Sequence, residues 1–157
     1  MVMVNSDQVS NPIQPIQKPG EEATAHVHRR FSKVLLVDDS KFLADILAMF
    51  FQLDGFSARA TYGGQAAIDA FEDEVPDIAF IDIDMPGMNG LEVARHVRAS
   101  KRARGTLLVA LSGWEEEPQR REAFDAGYDH FLAKPVDVNS IREFMSQLAS
   151  GKLHAVH

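Results

Sequence analysis

Short apolar runs alternate with amphipathic stretches from Lys33 onward, and this alternation restricts the folds open to the chain. The runs begin at Val34, Phe56, Ile78, Leu107 and Tyr128. Their shortness and apolar character are typical of strands buried on both faces. Strands separated by helices form a parallel sheet with helices on both sides. The pattern therefore predicts an α/β fold with a doubly wound sheet of five parallel strands.

The stretches between the runs carry helix signals. Ser40, Asn89 and Asp137 can cap helices, because their side-chain oxygens accept the free N–H groups of a first turn. Gly55 and Gly127 are stop signals. In the first helix the apolar residues at helical spacing form a stripe on one face: Leu43, Ile46, Leu47, Phe50 and Leu53.

The 157 residues are enough for one domain with little left over. Residues 1–30 hold three of the seven prolines and no Phe, Tyr or Trp. We therefore predict a disordered tail over 1–30, a folded domain over 31–150 and a short C-terminal tail over 151–157. Without a long apolar stretch, a signal-peptide pattern or a cysteine, we expect a cytoplasmic protein that does not insert into membranes.

The charge is unevenly distributed. The formal net charge is −7, and because residues 1–30 sum to zero, all of it lies in 31–157, with 20 acids against 13 bases. Such a domain is a poor candidate for nonspecific binding to nucleic acid or an anionic membrane. We expect the basic group formed by Arg95, Arg98, Lys101, Arg102 and Arg104 to be a solvated face.

Polar residues stand where the predicted strands end. Asp38 and Asp39 follow the first strand, Asp82 and Asp84 the third, Ser112 the fourth and Lys134 the fifth. Ligands of parallel sheets bind outside the carboxyl ends of the strands, so these side chains should converge. Clustered carboxylates repel one another and favour a hard cation, and oxygen ligands without His or Cys point to Mg²⁺. A lysine and a hydroxyl opposite that ion suit a phosphoryl group.

These motifs resemble the receiver domain of two-component response regulators over residues 31–150. The motifs are Val-Asp-Asp-Ser at 37–40, Asp-Ile-Asp-Met-Pro-Gly-Met-Asn-Gly at 82–90, Ala-Leu-Ser-Gly at 110–113 and Lys-Pro-Val-Asp at 134–137. Their order and spacing also match: 43 residues from Asp39 to Asp82, 30 more to Ser112 and 22 more to Lys134. The resemblance implies a flavodoxin-like (βα)5 fold with strand order 2-1-3-4-5.

The resemblance also implies residue roles. Asp82 matches the phosphoacceptor, whose carboxylate forms an acyl phosphate. Asp39 matches a direct Mg²⁺ ligand and Asp38 a second acid that often acts through water. At the position of Asp84 the family binds the metal through the backbone carbonyl, and we expect its side chain to be solvated. Ser112 and Lys134 match the residues that contact the phosphoryl oxygens, with a cis peptide bond before Pro135.

Two further positions bear on regulation. Phe131 stands where many relatives carry a switch Tyr or Phe, and without a hydroxyl it can couple only through ring packing. Trp114, two residues after Ser112, corresponds to a position that flanks the path of the attacking water. We hypothesise that its bulk slows the loss of phosphate; a surface or partner contact is an equal alternative.

We therefore expect a stand-alone response regulator rather than an enzyme. It would take a phosphoryl group from a sensor histidine kinase or a histidine phosphotransfer protein. It would then act on a downstream protein target through its fourth helix, fifth strand and fifth helix. We expect no direct DNA binding. One alternative is a haloacid-dehalogenase-like phosphohydrolase with Asp82 as nucleophile, which the early acids at 38–39 and the lack of a cap insertion disfavour. A scaffold that no longer uses phosphate is another alternative, which the complete acidic set disfavours.

Overall fold

A computed structural model describes Val27, residues 30–113 and residues 116–156 of the chain. The strands are β1 (Lys33–Val37), β2 (Ser57–Thr61), β3 (Ile78–Asp82), β4 (Leu107–Ser112) and β5 (His130–Ala133). The helices are α1 (Lys41–Leu53), α2 (Gly64–Asp73), α3 (Gly90–Ala99), α4 (Glu117–Ala126) and α5 (Val138–Ala149). The strands form one parallel sheet in the order β2-β1-β3-β4-β5, which confirms the predicted fold class and strand order.

Both faces of the sheet are covered, because successive strand residues point to opposite sides. Leu35 and Val37 of β1 pack with α2, α3 and α4, whereas Val34 and Leu36 pack with α1 and α5. All five residues of β3 are buried. The central strand therefore holds its last residue, Asp82, within a sheet enclosed by two apolar layers.

The predicted helix signals are confirmed. Ser40, Asn89 and Asp137 each accept a backbone N–H of the following first turn, and Asn89 forms a reciprocal capping box with Glu92. Gly127 at the end of α4 has a φ of 123°, a conformation that L side chains rarely adopt.

The apolar stripe predicted for α1 coincides only in part with its buried face. Leu43, Ile46 and Leu53 are 41%, 40% and 81% exposed. The buried face consists of Ala44, Leu47, Ala48 and Phe51, so of the predicted stripe Leu47 is buried and Phe50 partly so. Because α1 carries apolar residues on two faces, periodicity alone did not determine which face would meet the sheet.

The prediction of a solvated basic face is wrong for Arg98. Its side chain is 16% exposed, and Nη2 lies 2.8 Å from Oδ2 of the buried Asp129. The same guanidinium also donates to the carbonyl oxygens of Gly127, Arg104 and Thr106. Arg98 therefore joins the last turn of α3 to the connections that precede β4 and β5.

The first and last described segments lie near the amino-terminal edge of the sheet. Val27 is buried with Phe31 in the layer of α1 and α5, and Leu153 packs against that layer. The Val156 N–H donates to Asp129 Oδ1 at 2.8 Å. The rest of the tail predicted for 1–30 lies outside the described residues, apart from the exposed Arg30. No helix among the described residues is long and apolar enough to cross a bilayer.

Candidate functional site

The carboxyl end of β1 presents two acids in different environments. Asp38 is buried, and its Oδ1 accepts the Ser40 N–H at 2.9 Å, at the start of α1. Asp39 is exposed. The bond between the Asp38 N–H and the Thr61 carbonyl continues the β1–β2 pairing to this point and fixes the backbone at Asp38.

Asp82 ends β3 beside these acids and is 2% exposed. Its Oδ1 accepts the Asp84 N–H at 3.0 Å, which orients the carboxylate. Asp38, Asp39 and Asp82 each offer one carboxylate oxygen, and these atoms lie within 4.8 Å of one another. The predicted acids therefore converge.

This oxygen cluster fits Mg²⁺. Hard cations take carboxylate and carbonyl oxygens, and Mg²⁺ usually uses one or two carboxylates together with water. One of the three acids is exposed, which leaves the cluster a side open to solvent. The backbone carbonyl of Asp84, predicted as a further ligand, lies on the loop that directly follows Asp82 at the end of β3.

Lys134 faces the acids from the other side. Its Nζ lies 3.2 Å from Asp82 Oδ1 and 3.2 Å from Asp38 Oδ2. Its N–H donates to the Ser112 carbonyl, and its peptide bond to Pro135 is cis, as the resemblance implies. Desolvation disfavours the ammonium charge, but the carboxylates of Asp82 and Asp38 outweigh it and raise the pKa of Lys134.

The electrostatics of Asp82 combine opposing effects. Burial raises its pKa most, the ammonium group of Lys134 lowers it, and the charge of Asp38 raises it again, for a pKa of about 6. Asp82 is therefore mostly ionised at neutral pH, but at a cost in free energy. An ionised carboxylate with a raised pKa is a better nucleophile than one stabilised by strong partners.

Ser112 ends β4, next to Asp82, and is fully buried. Its Oγ lies 3.5 Å from Asp84 Oδ2, a long contact for an O–H donor. The Asp84 side chain itself is exposed, as predicted. The structure thus brings the hydroxyl, the ammonium group and the acids predicted from the strand ends to one edge of the sheet.

A family model described as "Response regulator receiver domain" matches residues 34–146. The chain belongs to this family. The match spans the four motifs, strands β2 to β5 and all of β1 but its first residue, so it favours a receiver domain over the phosphohydrolase alternative.

Solved structures share the receiver fold. Chemotaxis protein CheY4 of Vibrio cholerae is 23% identical with a TM-score of 0.70, covering 74% of this chain and 98% of that one. The receiver domain of a Syntrophus aciditrophicus signal transduction histidine kinase is 22% identical with a TM-score of 0.68, covering 76% and 91%. The receiver domain of the Francisella response regulator 1452 is 24% identical with a TM-score of 0.67, covering 77% and 98%. At these identities the likeness concerns the fold.

Phe131 and Trp114 are the two positions predicted to modulate this receiver domain. Phe131 in β5 is half-buried against the layer of α2, α3 and α4, and the Arg120 guanidinium lies 5.3 Å from the centre of its ring. The ring therefore has packing partners on α4. Trp114 lies outside the described residues.

Two features of the receiver domain were not identified from the sequence. One is Tyr128, which we predicted only as the first residue of a strand; its hydroxyl donates to the Gly90 carbonyl at 2.7 Å. The other is the exposed apolar stripe of α1, which begins at Phe42, two residues after the capping Ser40. The sequence signal for this stripe is that α1 carries more apolar residues than one buried face requires.

Proposed function

We propose that this receiver domain accepts a phosphoryl group onto Asp82 from a phosphohistidine of a sensor histidine kinase or a histidine phosphotransfer protein, with Mg²⁺ as cofactor. The observation that carries the proposal is the convergence of Asp38, Asp39, Asp82 and Lys134 at one edge of the sheet. The domain acts as a signalling phosphoacceptor rather than as an enzyme with a separate substrate.

The geometry supports Oδ2 of Asp82 as the attacking atom. Among the described residues, the bonds to the carboxylate come from the Asp84 N–H and from Lys134, and both reach Oδ1. Oδ2 attacks phosphorus and the phosphorus–nitrogen bond of the donor breaks. The departing imidazole, protonated on its other ring nitrogen, keeps the electron pair and leaves as a neutral base. The products are an acyl phosphate on Asp82 and an unmodified histidine on the donor.

Charge compensation is the main task of the surrounding residues, because phosphoryl transfer depends chiefly on positioning and electrostatics. When bound, Mg²⁺ would supply positive charge that offsets the negative charge of the carboxylates and of the phosphoryl group. Asp38, Asp39 and Asp82 would hold it through side-chain oxygens, and Asp84 through its backbone carbonyl. Lys134 leaves its contact with Asp82 to pair with a phosphoryl oxygen, and the Ser112 hydroxyl turns from Asp84 to donate to another.

The phosphoryl group then acts as a switch. It adds negative charge next to Ser112 and Lys134 and shifts an existing equilibrium between two arrangements of the domain. Packing of the Phe131 ring against α4 offers a route from the site to the surface formed by α4, β5 and α5. We infer a downstream protein target at that surface, and the net charge of −7 argues against direct DNA binding.

Incubation with acetyl phosphate and MgCl₂, followed by intact mass spectrometry, tests the proposal. We expect one added phosphoryl group per chain. The adduct should be absent in Asp82→Asn and present in Asp84→Asn, a matched control that keeps the backbone carbonyl. No adduct on the native chain, or an undiminished adduct in Asp82→Asn, would contradict the proposal.

The exposed stripe of α1 offers a contact surface for the phosphohistidine protein. Phe42, Ile46 and Met49 are 71%, 40% and 58% exposed, and they lie on the helix that starts at the acidic site. A protein donor whose phosphohistidine reaches Asp82 must cover the surface beside the site. An apolar stripe in that position favours binding through burial of apolar area.

Two phosphoryl donors separate surface contact from chemistry. Ile46→Ser should slow transfer from any phosphotransfer protein that phosphorylates the native chain by about tenfold, consistent with the loss of one interface anchor. Transfer from acetyl phosphate should be unchanged. Val156→Ser, at an exposed apolar residue away from α1, is the control. Equal slowing with both donors would argue against a contact surface on α1.

A further inference from the structure

Tyr128 links the start of β5 to the start of α3 through the core. It lies just before β5, at the amino-terminal edge of the sheet, and its side chain is fully buried among the residues of α2, α3 and α4. Its hydroxyl donates to the carbonyl of Gly90, the first residue of α3, at 2.7 Å. Burial of the ring and the nearby charge of Asp82 raise the pKa of Tyr128, so the hydroxyl remains a donor at any physiological pH.

Gly90 in turn lies directly against the phosphoacceptor. A Cβ at this position would stand 2.5 Å from the Asp82 carbonyl oxygen and 2.7 Å from Ile83 Cα. The Gly90 N–H donates to the Ile83 carbonyl at 3.0 Å. This bond closes the loop from Ile83 to Asn89, so a shift of the first turn of α3 must move the loop that carries Asp84.

The backbone of Tyr128 is well anchored. Its N–H donates to the Ala123 carbonyl at 3.1 Å. On one side, Arg98 Nε donates to the Gly127 carbonyl, and on the other, Asp129 accepts from Arg98 and from the Leu108 N–H. A hydroxyl held from a fixed backbone can define the position of the carbonyl to which it donates.

We propose that Tyr128 is a positioning residue for the phosphorylation site: its hydroxyl fixes the first turn of α3 and, through the closed Ile83–Asn89 loop, the backbone carbonyl of Asp84 that would bind Mg²⁺. The inference rests on the proposed function, since it concerns the metal that the acidic cluster would hold. The hydroxyl of Tyr128 makes a contact that is not possible for Phe131, three residues later, because Phe131 has no hydroxyl.

Tyr128→Phe tests this role because it keeps the ring and removes only the hydroxyl. Outer-shell partners of metal ligands typically change metal affinity by about tenfold to a hundredfold, and Tyr128 acts one step further out. We therefore expect Mg²⁺ to bind about threefold to tenfold more weakly, measured by isothermal titration calorimetry with MgCl₂. The rate of phosphorylation by acetyl phosphate should fall at limiting Mg²⁺ and recover at saturating Mg²⁺.

Phe144→Leu is the matched control, because Phe144 is buried in the opposite layer, packed against α1 and the sheet. It should destabilise the fold without changing the affinity for Mg²⁺. Equal Mg²⁺ affinity in Tyr128→Phe and the native chain, or equal weakening in both variants, would overturn the positioning role alone. A native chain that binds no Mg²⁺ would instead overturn the proposed function together with this inference.

Discussion

Replacing Asp82 with Asn removes a buried charge that the fold tolerates at a cost. The pKa of Asp82 lies near 6, against an ordinary value of 3.8, chiefly because the carboxylate is buried. Each pKa unit corresponds to about 1.4 kcal/mol, so keeping Asp82 ionised in the folded chain costs about 3 kcal/mol above pH 7. This pKa already includes the attraction of the Lys134 ammonium group, so the loss of that ion pair needs no separate term. We expect Asp82→Asn to be more stable by about 3 kcal/mol at pH 7.5.

The sign of the pH dependence makes this prediction specific. The folded chain holds the Asp82 proton more tightly than the unfolded chain, so the native protein loses stability as the pH rises from about 4 to about 6. At pH 4.5 most of the penalty is gone, and the advantage of Asp82→Asn should shrink by about 2 kcal/mol.

Urea unfolding at both pH values, with EDTA present, measures the difference. Asp39→Asn is the matched control: the same chemical change at an exposed member of the acidic cluster, with an expected gain of less than half as much. An Asp82→Asn variant that is no more stable than the native chain at pH 7.5 would refute the reasoning. So would a gain that is the same at both pH values.

Two further substitutions test the ion pairs. Lys134→Met leaves Asp38 and Asp82 without their shared ammonium group. We expect the free energy of unfolding in urea to fall by about 1–3 kcal/mol at pH 7.5 and phosphorylation by acetyl phosphate to be at least tenfold slower. An unchanged rate would exclude Lys134 from the chemistry. Arg98→Met leaves the buried carboxylate of Asp129 without its guanidinium partner and should lower the free energy of unfolding by about 3–5 kcal/mol in the same assay. Arg95→Met, at an exposed residue, is the control. A loss below about 1 kcal/mol would show that the pair does not hold α3 to the α4–β5 connection.

The strand ends were predictable because they depend on local patterns. A buried parallel strand is a short apolar run, and the carboxyl ends of such strands meet at one edge of the sheet. Asp38, Asp82, Ser112 and Lys134 follow from those two facts, without knowledge of any side-chain contact. The strand order and the cis bond before Pro135 came from the family resemblance rather than from the residues alone.

The features that were not predicted depend on contacts between distant segments. Arg98 and Asp129 are separated by thirty-one residues, and nothing near Arg98 in the sequence distinguishes it from its exposed neighbour Arg95. Tyr128 is an aromatic residue next to a strand, a common core pattern, and only the fold brings its hydroxyl to Gly90. On α1 the helical period identifies apolar stripes, but the shape of the sheet decides which one is buried.

Chemical trapping of the modified side chain tests the phosphoacceptor most directly. Borohydride reduces an acyl phosphate of aspartate to homoserine, so the chain is treated with acetyl phosphate and MgCl₂, reduced, digested and sequenced by mass spectrometry. We predict homoserine at position 82, with Asp38, Asp39 and Asp84 unmodified, and none when Mg²⁺ is removed with EDTA. Homoserine at another aspartate, or none at position 82 although the intact protein carries a phosphoryl group, would contradict the assignment of Asp82 as the phosphoacceptor.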